Sequence, residues 1–180
     1  MKILVISDTH GTLGTIYEVY RKLEDIDMII HLGDFDKDAM QLQKRLDIDV
    51  VWVKGNCDGA MIKEDSEKII ETEAGNILIT HGHTYGVNYD ITNLLYRCEE
   101  LGCKAVFFGH THIAYYEEAN GIKLLNPGSL TKPRDGSQGT YAIVEATEKG
   151  IEGTILYYKK ELPKPEGGYI RGLINYSDRF

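Results

Sequence analysis

Short apolar runs, each broken by a compact polar cluster, set the pattern of the first third of the chain. Residues 2–7 form an apolar run rich in β-branched side chains, as in a buried strand. Leu13, Ile16, Tyr20 and Leu23 then recur at helical spacing. Residues 28–32 predict a second strand, 39–46 a second helix and 50–53 a third strand. This β-α-β-α-β order implies a parallel sheet with right-handed crossovers. Further on, residues 67–72 and 76–80 flank Glu73-Ala74-Gly75 and predict a hairpin. Ile91, Leu94, Leu95, Cys98 and Leu101 give the cleanest helical stripe, and 104–108 another strand. Residues 114–119 and 122–125 flank Asn120-Gly121, a dipeptide suited to the two positive-φ positions of a type I′ turn. Residues 140–146 and 151–157 pair across Glu148-Lys149-Gly150. The sum is a mixed α/β domain whose later strands are expected to be largely antiparallel.

Length and composition change this picture little. A chain of 180 residues is expected to form one domain, with 159–180, carrying Pro163, Pro165 and Gly167-Gly168, as an irregular C-terminal extension. No segment approaches the ~20 apolar residues of a membrane span, and the first apolar run is too short for a signal-peptide core. Cys57, Cys98 and Cys103 show no Cys-x-x-Cys spacing, so neither a disulfide framework nor a structural zinc site is indicated, and the expected location is the cytoplasm. The net charge of −8 argues against non-specific nucleic-acid binding. It does not argue against a phosphate substrate, because a bound metal reverses the local charge.

The chemistry lies in the polar clusters. Asp8-Thr9-His10, Gly33-Asp34, Gly55-Asn56-Cys57-Asp58, His81-Gly82-His83 and Gly109-His110-Thr111-His112 each directly follow an apolar run. Ligands of open α/β sheets bind beyond the carboxyl ends of the strands, so these clusters are expected to share one patch. Five of the six histidines fall in them, and His31, at a strand end, reads as a packing residue. Imidazole, carboxylate and amide oxygen without thiolate suit manganese, iron, zinc or nickel. So many donors exceed the needs of one tetrahedral ion, and Asp34, alone in its cluster, can bridge two.

In order, DxH, GD, GNxD, HG and GHxH resemble the motifs of the calcineurin-like metallophosphoesterase superfamily. The GNCD, GHTH and Asn126-Pro127-Gly128-Ser129 wording is similar to its small prokaryotic phosphodiesterase branch, over residues 1–158. The resemblance implies a four-layer α/β/β/α sandwich of two mixed sheets. It implies two divalent ions, manganese first, with nickel, iron, zinc or magnesium as alternatives. Asp8, His10 and His112 would hold one ion, Asn56, His81 and His110 the other, and Asp34 both. The implied activity is hydrolysis of small-molecule phosphodiesters by a metal-bridging hydroxide, with Asp34, Asn56, His81 and His110 in the catalytic role. Many members have His where this chain has Cys57, and that His is implicated in protonating the leaving oxygen. A thiol is a poor substitute for an imidazolium donor. Cys57, His83 and Arg134 are candidate substrate contacts, with Lys132 a weaker one, and Asn126-Pro127-Gly128-Ser129 reads as a turn that the family places beside the metals. The alternatives are a phosphomonoesterase or phosphoprotein phosphatase, or an interaction scaffold like the small retromer subunit. Tyr115-Tyr116 and Tyr157-Tyr158 fit strands with two unlike faces and are candidate contacts of a homo-oligomer.

Overall fold

The protein was analysed as a computed structural model, which describes residues 1–59 and 66–159. One sheet has the order β10-β9-β1-β2-β3 and the other β4-β5-β6-β8-β7. In the first sheet β1 (Lys2–Ile6), β2 (Met28–His31) and β3 (Asp49–Trp52) run parallel. They are joined through helices α1 (Gly14–Tyr20) and α2 (Asp36–Arg45). The hairpin of β9 (Thr140–Thr147) and β10 (Gly150–Tyr157) adds antiparallel to β1.

The second sheet holds β4 (Glu67–Ile70), β5 (Ile77–Thr80), β6 (Ala105–Phe107), β7 (Ala114–Ala119) and β8 (Ile122–Pro127), with α3 (Thr92–Glu100) between β5 and β6. Here the expectation of largely antiparallel pairing holds only at the margins. β4–β5 and β7–β8 are antiparallel hairpins, but β5–β6 and β6–β8 are parallel. The α3 crossover returns the chain to the same end of the sheet, which is what parallel neighbours require.

Alternation along the strands builds the layers. Ile3 and Val5 of β1, Ile30 of β2, Ile77 and Ile79 of β5 and Phe107 of β6 meet in a core between the two sheets. Leu4, Ile6 and Ile29 face the other way, onto Ile16, Val19 and Leu42 of α1 and α2. Leu78 and Val106 pack on Leu94 and Cys98 of α3. Three apolar cores therefore separate four layers, the expected α/β/β/α sandwich.

Local differences have physical causes. α2 starts at Asp36 rather than Ala39, and Asp36 and Asp38 in its first turn complement the helix dipole. Leu23 lies beyond α1 and continues its apolar stripe through the turn bond from its own N–H to Tyr20 O. Asn126 and Pro127 belong to β8, so the expected turn begins only at Gly128, whose φ is 72°. Tyr116 packs on the inter-sheet core and Tyr115 on the α3 side. From residue 160 the expected C-terminal extension lies outside the described residues. Among the described residues no helix is long and apolar enough to cross a membrane.

Candidate metal centre

The polar clusters sit where parallel strands end. Asp8 and His10 follow β1, Asp34 follows β2 and Asn56 follows β3; His81 follows β5, and His110 and His112 follow β6. The first four come from one sheet and the three histidines from the other. Five of these seven, Asp8, His10, Asp34, His110 and His112, hold positive φ between 46° and 69°. A side chain bearing a Cβ adopts that region only when its surroundings over-determine it, and such strain gathers at functional sites. Crowding also explains two motif glycines. A Cβ on Gly55 would lie 2.2 Å from Asp34 Oδ1, and one on Gly109 would lie 2.0 Å from Ser7 Oγ.

Ligating atoms of Asp8, His10, Asp34 and His112 all lie within 4.8 Å of one another. His112 Nδ1–H donates to Lys132 O at 2.7 Å, which leaves Nε2 as the lone-pair nitrogen. That Nε2 lies 3.2 Å from Asp8 Oδ1, a buried oxygen with no hydrogen-bond partner, and 3.4 Å from His10 Nε2. A second group repeats the arrangement. His81 Nδ1–H donates to Leu32 O at 2.7 Å, and its Nε2 faces Asn56 Oδ1 at 3.2 Å and Asp34 Oδ1 at 3.4 Å. The His110 ring lies 5.1 Å from that of His81, centroid to centroid, and its Nε2 is engaged by Asn88 Nδ2 at 2.8 Å. Asp34 joins the groups, its other oxygen lying 4.0 Å from His10 Nε2.

Lone pairs facing lone pairs repel unless a cation sits among them. The buried, donorless Asp8 oxygen and the tautomers set by Lys132 O and Leu32 O therefore fit a metal. For His10, His110 and Asp8 the titration of the free groups agrees. Burial, with Lys132 nearby, pushes the His10 imidazolium down; burial, with His81, does the same for His110. Both favour the neutral ring that binds metal. Burial would raise the Asp8 carboxyl, but the neighbouring His112 and Ser7 outweigh it and hold it below its ordinary value. The same Asp8 contact raises His112.

The weaker candidates divide. Cys57 is exposed beside Asn56, and its N–H donates to Asp34 Oδ1 at 2.9 Å. Burial of its sulfur, with the Asp34 carboxylate, pushes the thiol up to about 11. His83 lies 5.3 Å from His81 and 6.1 Å from His110 between ring centroids, with a buried Nδ1 that has no hydrogen-bond partner. Arg134 comes close through its backbone, its N–H donating to His112 O at 3.1 Å, while Lys132 contributes its carbonyl. His31 stays out of the ligand groups and is fully buried.

Several residues brace the centre without being candidate ligands. Gly33 N–H donates to His31 Nδ1, so His31 Nε2–H donates to Thr9 Oγ1, whose hydroxyl donates to Asp38 Oδ2 at 2.6 Å. Asp38 also accepts from Gly11 N–H. Asp58 accepts from the N–H groups of Gly55, Phe35 and Asp36, each at 2.7 Å, and so ties the Asp34 and Asn56 loops together. Ser129 Oγ donates to Asp8 O, and Asn126 Nδ2 donates to Gly109 O. Asp58 stood in a motif; Asn88, within a loop, and Asp38, within a helix, follow no apolar run.

The family model for the calcineurin-like phosphoesterase superfamily domain matches residues 1–149. A probable metallophosphoesterase of Bacillus subtilis, YsnB, is 36% identical over 159 residues, covering 88% of this chain and 90% of its own. The phosphodiesterase MJ0936 of Methanocaldococcus jannaschii is 32% identical over 146 residues, covering 71% and 83%. The crystal structure of a conserved Streptococcus pneumoniae protein, described as a predicted phosphoesterase, superposes with a TM-score of 0.73 at 28% identity, covering 87% of this chain and 88% of that one. Zinc-bound Vps29 of Entamoeba histolytica shares the fold, with a TM-score of 0.68 at 21% identity over 87% and 99%.

Proposed function

The chain belongs to the calcineurin-like phosphoesterase superfamily, and from that premise we propose that it is a phosphodiesterase working with two divalent ions. The observation that carries the reading is Asp34, whose two carboxylate oxygens face different groups: one faces His10, the other His81. Asp8, His10 and His112 would hold one ion, Asn56, His81 and His110 the second, and Asp34 both. When bound, two such ions supply Lewis acidity at a phosphoryl oxygen and an activated water for in-line attack at phosphorus. The donor set has no thiolate, which suits manganese first, then nickel, iron, zinc or magnesium.

The protein's share is orientation. Lys132 O and Leu32 O hold His112 and His81 in the ligand tautomer, while Asn88 Nδ2 braces His110 through Nε2. Two ions carry +4 against −2 from Asp8 and Asp34, so an anionic ester meets a positive site on a protein of net charge −8. No imidazole stands at position 57, and the Cys57 thiol, held near about 11, gives up its proton reluctantly. That favours esters whose leaving oxygen needs little protonation, and it makes monoesters or phosphoproteins the less supported substrates. The phosphodiesterase name of the archaeal relative supports diesters as well. The fold shared with Vps29 favours a second reading, a non-catalytic interaction scaffold. A scaffold has no physical need for seven converging ligands.

Elemental analysis of the purified protein should find divalent metal. Exhaustive chelation should abolish hydrolysis of diesters and re-addition restore it. Asp34→Asn should lower kcat/KM by about 10²–10³-fold, the scale of losing one charge-stabilising group, and by more than Asp8→Asn or His83→Ala. Undiminished turnover in metal-free protein, or wild-type kinetics for Asp34→Asn at saturating metal, would overturn the dinuclear assignment.

A further inference from the structure

The loop 109–112 has two sides. His110 and His112 turn into the metal centre, while Thr111, with Phe108 and Ile113 on either flank of the loop, lines a groove of about 380 Å³. Val87, Ile91 and Tyr115 complete its apolar walls, and the Phe108 and Tyr115 rings lie 6.1 Å apart. Asn88 belongs to both places: it lines the groove and its Nδ2 contacts His110 Nε2 at 2.8 Å. The groove therefore begins one side chain away from a candidate metal ligand. Ile113 in its wall is 46% exposed, apolar surface that the fold leaves uncovered.

Arg134 sets the charge. It lines the groove, its backbone is fixed to His112 O, and its guanidinium has no hydrogen-bond or carboxylate partner among the described residues. An apolar slot with aromatic walls and an unpaired planar cation suits a flat unsaturated ring carried on an anion, since guanidinium groups both pair with anions and stack on ring faces. The volume lies at the lower end for a small-molecule site and suits one or two rings rather than a long acyl chain. We propose that this groove is the subsite for one ester arm of the substrate, and that the arm is an aromatic or heteroaromatic ring. This rests on the phosphodiesterase reading and names the substrate class that reading leaves open. In a diester one arm would enter the groove while the phosphate stays at the metals, with Arg134 meeting the ring or its anionic neighbour.

The test separates arm recognition from chemistry. Two phosphonate diesters that resist hydrolysis, identical except for a naphthyl or a methyl arm, are titrated calorimetrically into metal-loaded wild type, Ile113→Ser and Ile91→Ser. Folding of each variant is checked by its melting curve. Ile113 is half outside the core, so its variant keeps the fold even if Ile91→Ser does not. The expected result is naphthyl binding at least tenfold tighter than methyl in wild type, with that ratio falling by about 5–10-fold in Ile113→Ser, the scale of lost apolar contact in a pocket. An equal affinity for the two arms in wild type, or an unchanged ratio in folded Ile113→Ser, overturns the subsite. Because the readout is binding, absence of diester hydrolysis would defeat the phosphodiesterase reading and leave this measurement standing. A kinetic series on hydrolysable diesters of matched leaving-group pKa then shows whether the preference reaches kcat/KM.

Discussion

Cys57 and His31 show how much one side chain can decide in this protein. With the thiol pushed up to about 11, Cys57 is a poor proton donor, and on the phosphodiesterase reading position 57 would offer little to a leaving oxygen. General acid catalysis contributes about 10²–10⁴-fold where it operates. Cys57→His should therefore flatten the dependence of log kcat on leaving-group pKa, raising alkyl esters relative to aryl esters at equal metal loading. Equal slopes in both proteins would show that Cys57 does not limit substrate choice. His31 works through stability. Burial lowers its pKa from 6.5 to about 4, so the native state refuses a proton that the unfolded chain binds. Its contribution is complete above the unfolded value and is lost as pH falls toward the folded one, in total about 3 kcal/mol. Denaturation at a series of pH values should show His31→Gln less sensitive than wild type between pH 6.5 and about 4. The candidate ligands were legible because each follows an apolar run. Asn88, Asp38 and the positive φ of Asp8, His10 and Asp34 were not, because long-range packing imposes them.

Among the elements, alternation foretold strands well, since period-two burial is a local property; Ile3 and Val5 face one core and Leu4 and Ile6 another. Strand order was less legible. The parallel run β5-β6-β8 depends on where α3 docks, and no local pattern encodes that. The β7–β8 hairpin lies at the legible extreme. Asn120 and Gly121 take φ of 53° and 75°, as the dipeptide demanded, and nothing lies within 4 Å of a Cβ placed on Gly121. Gly121→Ala should therefore cost about 1–2 kcal/mol through backbone conformation alone. Urea denaturation checks this, with an unchanged m-value expected because no buried surface is lost.

The whole molecule divides its candidate ligands between two sheets, Asp8, His10, Asp34 and Asn56 on one and His81, His110 and His112 on the other. The apolar layer between the sheets, with Ile3, Val5 and Phe107 at its heart, holds the two sets together. The four-layer order was available only through motif resemblance, because which faces meet is a property of the completed fold. Shearing one sheet by a fraction of a strand would scatter the donors while all three hairpins stayed intact. This division has a kinetic consequence. Asp8 and His112 are distant in sequence and meet only after both sheets have formed and docked, so the ion-binding geometry arises late on the folding route. A ligand of such a late geometry slows unfolding and leaves refolding almost untouched. Stopped-flow chevrons with and without manganese should show superimposable refolding limbs and an unfolding limb lowered by about 10²-fold at 100 times the dissociation constant. Bound metal would then act as a latch, closing after the molecule has assembled and governing how long it stays assembled.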